Sequence, residues 1–113
     1  MVVLAISATV VILAPLLFPM HPGPYVVTAI DYHFHDAHPT FPIVRGRDLV
    51  VKNAGRNEHN VTIPSLVFTR DVRPGEQLTI DDIGGRLAPG RYLLYCRYHR
   101  DRGMTGVIVI AAG

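Results

Sequence analysis

Arg91-Tyr92-Leu93-Leu94-Tyr95-Cys96-Arg97-Tyr98-His99-Arg100-Asp101-Arg102-Gly103-Met104-Thr105-Gly106-Val107-Ile108-Val109-Ile110 contains two β-rich runs joined by a short polar loop. Candidate strands are Arg91 to Cys96 and Gly106 to Ala111. Side chains alternate along a strand, so residues 92, 94 and 96 share one face. Further upstream, His59-Asn60-Val61-Thr62-Ile63 reads the same way, with 59, 61 and 63 on one face. If Val61, Ile63 and Leu94 point into a core, His59 and Cys96 do too. An imidazole and a thiol are then aimed inward at the ends of two different strands.

The rest of the chain after Pro24 continues this pattern. Tyr25 to Asp31, Asp48 to Asn53 and Gln77 to Ile80 are further candidate strands, with shorter ones near Phe41 to Val44 and Leu66 to Thr69. Between them stand turn sequences: Arg45-Gly46-Arg47-Asp48, Asn53-Ala54-Gly55, Arg73-Pro74-Gly75-Glu76 and Ala88-Pro89-Gly90. Short strands at this spacing, with no sustained helical period, predict an all-β fold: a Greek-key antiparallel β-sandwich preceded by an apolar N-terminal segment. The 113 residues suffice for one domain, assigned to residues 21–113.

Residues 1–20 carry no charged side chain, and Val2 to Phe18 is apolar almost throughout. The segment reads as a signal peptide or a membrane anchor, which places the domain outside the cytoplasm, in a periplasmic or similar extracytoplasmic space, exported or tethered. No Lys or Arg precedes the apolar run, and it contains no Cys for a lipid anchor. His21-Pro22-Gly23-Pro24 is the break between segment and domain.

The chain has ten Arg, one Lys and a net charge of +2. Its arginines are dispersed, without basic runs interleaved with aromatics, so nucleic-acid binding is not expected. The single cysteine, Cys96, excludes an internal disulfide and every CxxC motif. Its neighbours give it another role. Cys96, His99 and Met104 are spaced C-x2-H-x4-M in one loop, and His59 is a second imidazole. Two imidazoles and a thiolate with a weak axial thioether form the ligand set of a blue-copper site. Cu(I) favours soft sulfur and Cu(II) favours imidazole, so a site held between the two changes oxidation state with little rearrangement. Zinc is the rival metal, but methionine is a poor zinc ligand.

The segment NAGRNEHNVTIP (Asn53 to Pro64), followed by APGRYLLYCRYHRDRGMTGVIVI (Ala88 to Ile110), closely resembles the cupredoxins, above all their plastocyanin-like branch. The resemblance implies a cupredoxin-like sandwich holding one type 1 copper ion near one end. It implies that Asn60, just after the first ligand, ties the two ligand loops together by hydrogen bonding. It also implies that His99 shows its ring edge through an apolar patch where electrons enter and leave. The departure is a ligand loop rich in arginine: Arg97, Arg100 and Arg102. If these surround the His99 exit, a redox partner protein with an acidic surface is implied. The competing reading is scattered, solvated arginines.

The functional expectation is a single-domain one-electron carrier cycling Cu(I) and Cu(II) between partner proteins, and not an enzyme. The alternative is copper handling by storage, delivery or sequestration. The neighbours of Cys96 are Tyr95 and Arg97, not the paired histidines that wire a thiolate to a second copper cluster in multicopper oxidases. A second histidine group, His33, His35 and His38, reads as polar residues running from the first strand into a loop, in preference to an auxiliary metal site, because no soft ligand is nearby. Asn60-Val61-Thr62 matches a glycosylation sequon, but Asn60 is committed to the ligand region, so no glycan is expected.

Overall fold

The computed structural model describes residues 23–37 and 42–112. The apolar segment 1–20, His38 and Phe41 lie outside the described residues. In chain order the elements are β1 (Tyr25–Ile30), β2 (His33–His35), β3 (Leu49–Asn53), β4 (His59–Ile63), β5 (Phe68–Val72), β6 (Gln77–Ile80), a single helical turn α1 (Ile83–Arg86), β7 (Gly90–Tyr95) and β8 (Thr105–Ile110). Two four-stranded sheets face each other, ordered β2-β1-β3-β6 and β5-β4-β7-β8.

Alternation builds the core between them. Val27, Ala29, Leu49, Val51, Leu78 and Ile80 point inward from the first sheet. Val61, Ile63, Val72, Leu94, Ile108 and Ile110 meet them from the second. Each fully buried Leu, Ile or Val contributes about 2 kcal/mol relative to leaving it in water.

Every pairing of named strands is antiparallel except β1 with β3, which run parallel with Tyr25 opposite Leu49. A parallel pair needs a long crossover. The connection between β2 and β3 supplies it, and its described residues 42–48 lie at the end of the molecule where β1 begins. On the way Ile43 is fully buried and bridges Ile110 of β8, which closes the space between the sheets.

Three local differences from the sequence reading have physical causes. The residues after β1 form an edge strand instead of a loop, because Asp31 adopts a left-handed conformation (φ 52°) and reverses the chain at once. Aspartate tolerates that conformation better than most residues. The strand expected at Leu66 begins at Phe68, since Pro64–Leu66 coil into a 3-10 turn and Val67 turns the chain at φ 52°. The turn α1 went unread because four residues carry no periodicity.

The topology defines two poles. β1, β3 and β7 begin, and β6 and β8 end, at one of them. Gly23 and Pro24 lie there, their carbonyls accepting from the Arg47 guanidinium at 2.8 and 3.2 Å. β4 and β8 begin, and β7 ends, at the opposite pole, so His59 and Cys96 lie there together.

At the first pole Gly84 is buried, and a Cβ at this position would overlap the backbone carbonyl of Val44. Backbone cannot yield as a flexible side chain does, so Gly84→Ala is expected to cost about 2 kcal/mol of stability by denaturant unfolding. A loss below about 0.5 kcal/mol would show that the 42–48 crossover shifts freely.

Candidate metal centre

The centre is assembled from the start of β4 and the loop between β7 and β8. Thr62 of β4 stands opposite Tyr95 of β7. Extending that antiparallel register sets Asn60 against Arg97, and leaves His59 and Cys96 as diagonal neighbours on the inward face at the pole. Beyond Cys96 the chain folds tightly on itself. The His99 N–H donates to the Cys96 carbonyl at 3.2 Å, and the His99 carbonyl accepts from Arg102 and Met104 at 2.9 and 3.2 Å. The loop closes with the Cys96 N–H donating to the Met104 carbonyl at 3.1 Å. Gly103 turns the chain at φ 84°, where a side chain would be strained.

One ligand atom from each of His59, Cys96 and His99 lies within 4.8 Å of the others, a group able to hold one metal ion. His59 Nδ1 and His99 Nδ1 are 3.2 Å apart, and His99 Nδ1 is 3.5 Å from Cys96 Sγ. Atoms held about 2.0 to 2.3 Å from one first-row metal ion, at tetrahedral to trigonal angles, stand about 3.3 to 3.7 Å apart. Two of the three donor separations, 3.2 and 3.5 Å, are close to that range, and all three fall within 4.8 Å. Met104 belongs to the same loop and is fully buried, as are His59 and Cys96, while His99 is half-exposed.

The protonation state suits ligation. Burial pushes the His59 pKa down, the neighbouring His99 pushes it further, and Asp31 opposes both. His59 is thus a neutral imidazole at pH 7. Ligation through Nδ1, which is turned toward the other donors, would place the ring proton on Nε2, which is buried without a hydrogen-bond partner among the described residues.

Asn60 joins the two halves of the centre. Its backbone N–H donates to Cys96 Sγ at 3.3 Å, and its Oδ1 accepts from the Arg97 N–H at 3.3 Å and from the Thr62 hydroxyl. Its Nδ2 donates to Thr69 Oγ1 and Asp71 Oδ1, each at 3.1 Å. With every side-chain hydrogen-bonding atom engaged and 1% exposure, Asn60 has no atom free for a glycan. Asp71 also accepts from the Tyr98 hydroxyl at 2.8 Å, and these two donors, Tyr98 first, hold its carboxyl below the usual range.

Two residues that serve the centre were not singled out from sequence. Asn53 was read only as a turn residue, but its buried amide donates to the carbonyls of Asn57 and Val72 at 2.7 and 2.8 Å. It also accepts from the Gly55 N–H, and so shapes the loop that delivers His59. The Asn-x-Gly spacing was the available signal. Tyr32, in the β1–β2 turn, packs its ring 4.8 Å from that of His99, and no local pattern announces this. Of the second histidine group, His33 and His35 are exposed on β2 with rings 4.7 Å apart, and neither belongs to the His59–Cys96–His99 group.

No protein-family model matches the chain, and no curated protein matches it by sequence. Solved structures do match. A reduced amicyanin superposes with a TM-score of 0.62 at 15% identity, covering 78% of this chain and 82% of that one. A purple cupredoxin from Nitrosopumilus maritimus gives 0.60 at 14%, covering 76% and 98%. A fern plastocyanin gives 0.61 at 14%, covering 76% and 99%. The chain has the cupredoxin fold, and its His-Cys-His group has the composition of a type 1 site.

Removing the Asn60 side chain leaves the Arg97 N–H without its acceptor and Asp71 without one of its donors. Asn60→Ala is expected to destabilise the metal-free protein by about 2 kcal/mol in denaturant unfolding. A loss under about 0.5 kcal/mol would mean that the ligand loop holds its shape without this tie.

Proposed function

We propose that the chain binds one copper ion through His59, Cys96, His99 and Met104 and carries single electrons between redox partner proteins outside the cytoplasm. The observation that carries this reading is the convergence of His59 Nδ1, His99 Nδ1 and Cys96 Sγ at one pole of a cupredoxin fold. Amicyanin, which shares the fold, has been captured in a Cu(I) form. Bound copper would supply a one-electron Cu(I)/Cu(II) couple.

The chain's own residues contribute the rest. The ligand loop and β4 hold the donors at fixed separations, so little has to move when the charge at the centre changes. Burial of His59, Cys96 and Met104 keeps water from the donors on three sides. The Asn60 N–H directed at Cys96 Sγ withdraws electron density from the sulfur, a standard means of setting a copper potential. His99 is the one half-exposed member of the donor group, so it offers the shortest path for an electron to the surface. Export rests on the apolar segment at residues 1–20.

The visible spectrum of the full chain with Cu(II), then with ascorbate, tests this. An intense band in the yellow-to-red region that bleaches on reduction and returns on oxidation is expected. Cys96→Ser should remove the band, because its charge-transfer origin requires the sulfur. Met104→Leu should keep the copper and raise the reduction potential, measured by voltammetry. A pale spectrum with copper released on reduction would replace electron transfer with copper handling, and would turn attention to the exposed His33 and His35 pair.

A further inference from the structure

The arginines of the ligand loop are not loosely solvated. The guanidinium of Arg97 lies 5.1 Å from the ring centre of Tyr98, that of Arg100 lies 4.3 Å from Tyr95, and that of Arg102 lies 4.5 Å from Tyr32. Each cation is seated on an aromatic face, and two of those rings pack against His99. Tyr32 is 4.8 Å from its ring and Tyr98 is 6.5 Å. The three arginines are exposed, and each lies within three residues of His99. From Arg97 to Arg102 the loop holds three arginines against one aspartate, Asp101, while the whole chain carries only +2. Asp71 also lies beside this group, with its carboxylate engaged by Tyr98 and Asn60.

Building on the electron-carrier reading, we propose that these three arginine–tyrosine pairs form a preorganised cationic collar that docks a redox protein through carboxylates on its surface. Stacking fixes each guanidinium plane while leaving N–H groups to pair with a carboxylate, although one Arg97 N–H already donates to the Tyr98 hydroxyl at 3.2 Å. A side chain already held in place loses little freedom on binding, so the usual ordering cost of a long cation is reduced. Lysine could supply the charge but not the stack, and the loop contains none. The collar also lies beside the half-exposed His99, so a carboxylate-bearing partner is steered to where an electron can pass.

A protein surface is favoured over an anionic membrane by where the described domain begins. Gly23 and Pro24 lie at the opposite pole, so a membrane holding the segment before them would face away from the collar.

Two readouts test the proposal. The first needs no copper: the metal-free full chain is titrated with poly-L-glutamate and followed by NMR. Shifts are expected at Tyr32 and at residues 95–102, with affinity falling about tenfold between about 20 and about 200 mM salt. Combined Arg97→Gln, Arg100→Gln and Arg102→Gln should weaken binding about tenfold, while the corresponding lysine replacements, which keep the charge but lose the stack, should weaken it about threefold. The second readout uses the copper-loaded chain. Oxidation of Cu(I) by hexacyanoferrate(III), with one electron passing to iron, should slow as salt is added, whereas oxidation by a tris(phenanthroline)cobalt(III) cation should not.

Binding that maps to Arg45 and Arg86 at the other pole would overturn the collar. So would glutamine variants, or lysine variants, that bind as tightly as the parent. Loss of binding to phosphatidylglycerol vesicles in the glutamine variants, with polyglutamate binding unchanged, would assign the arginines to lipid instead. Absence of a blue band with polyglutamate binding intact would count against the carrier reading alone, not against an acidic partner.

Discussion

The centre depends on one contact across two elements: Asn60 against the Cys96–Arg97 peptide. β4 and β7 are in register at Thr62 and Tyr95, and without a further link their ends would be free to splay at the pole. Asn60 prevents this with a backbone N–H to the cysteine sulfur and a side-chain oxygen to the Arg97 N–H. The thiol and the first histidine are thereby held together before any ion is present. Because the same residue donates to Asp71 and Thr69 on β5, the tie reaches the edge of the second sheet. A mobile pair of imidazoles would have to be ordered by the metal at the expense of affinity. Here the order is a property of the fold.

Much of this was legible in the sequence because the chemistry falls on residues whose positions are set locally. Alternation in His59–Ile63 and in Tyr92–Cys96 places the histidine and the thiol inward once Val61, Ile63 and Leu94 are assigned to the core, and all five are fully buried. Cys96, His99 and Met104 share one short loop, so their proximity needs no tertiary knowledge. What escaped was relational. The parallel pairing of β1 with β3 joins residues more than twenty positions apart, which no local pattern encodes. The hairpin to β2 turns on the left-handed backbone of Asp31, and His-Phe-His is too short a run to show a period. Tyr32 reaches His99 only because that hairpin exists.

The last of these consequences alters how the exposed side of the centre is understood. The resemblance implied an apolar patch around the ring edge of His99. In the structure a tyrosine from the first sheet lies against that ring, and an arginine lies on the tyrosine. Arg102, Tyr32 and His99 form a stack that joins the β1–β2 turn to the ligand loop. Asn60 thus ties β4 and β5 to the ligand loop within the second sheet, and the Tyr32 contact joins the first sheet's hairpin to that loop.

The stack and the tie act on different variables. Asn60 is buried and contacts the sulfur, so it bears on the stability of the centre and on the energy of its redox couple. The tyrosine-seated arginines are exposed and do not touch a donor atom, so they bear on which molecules approach and how they orient. A fold that keeps these two functions on separate residues can change partners by surface substitution while its ligand geometry stays constant. The electron carrier proposed above would have to meet two different proteins without altering its own couple, and that separation is the property such a role needs.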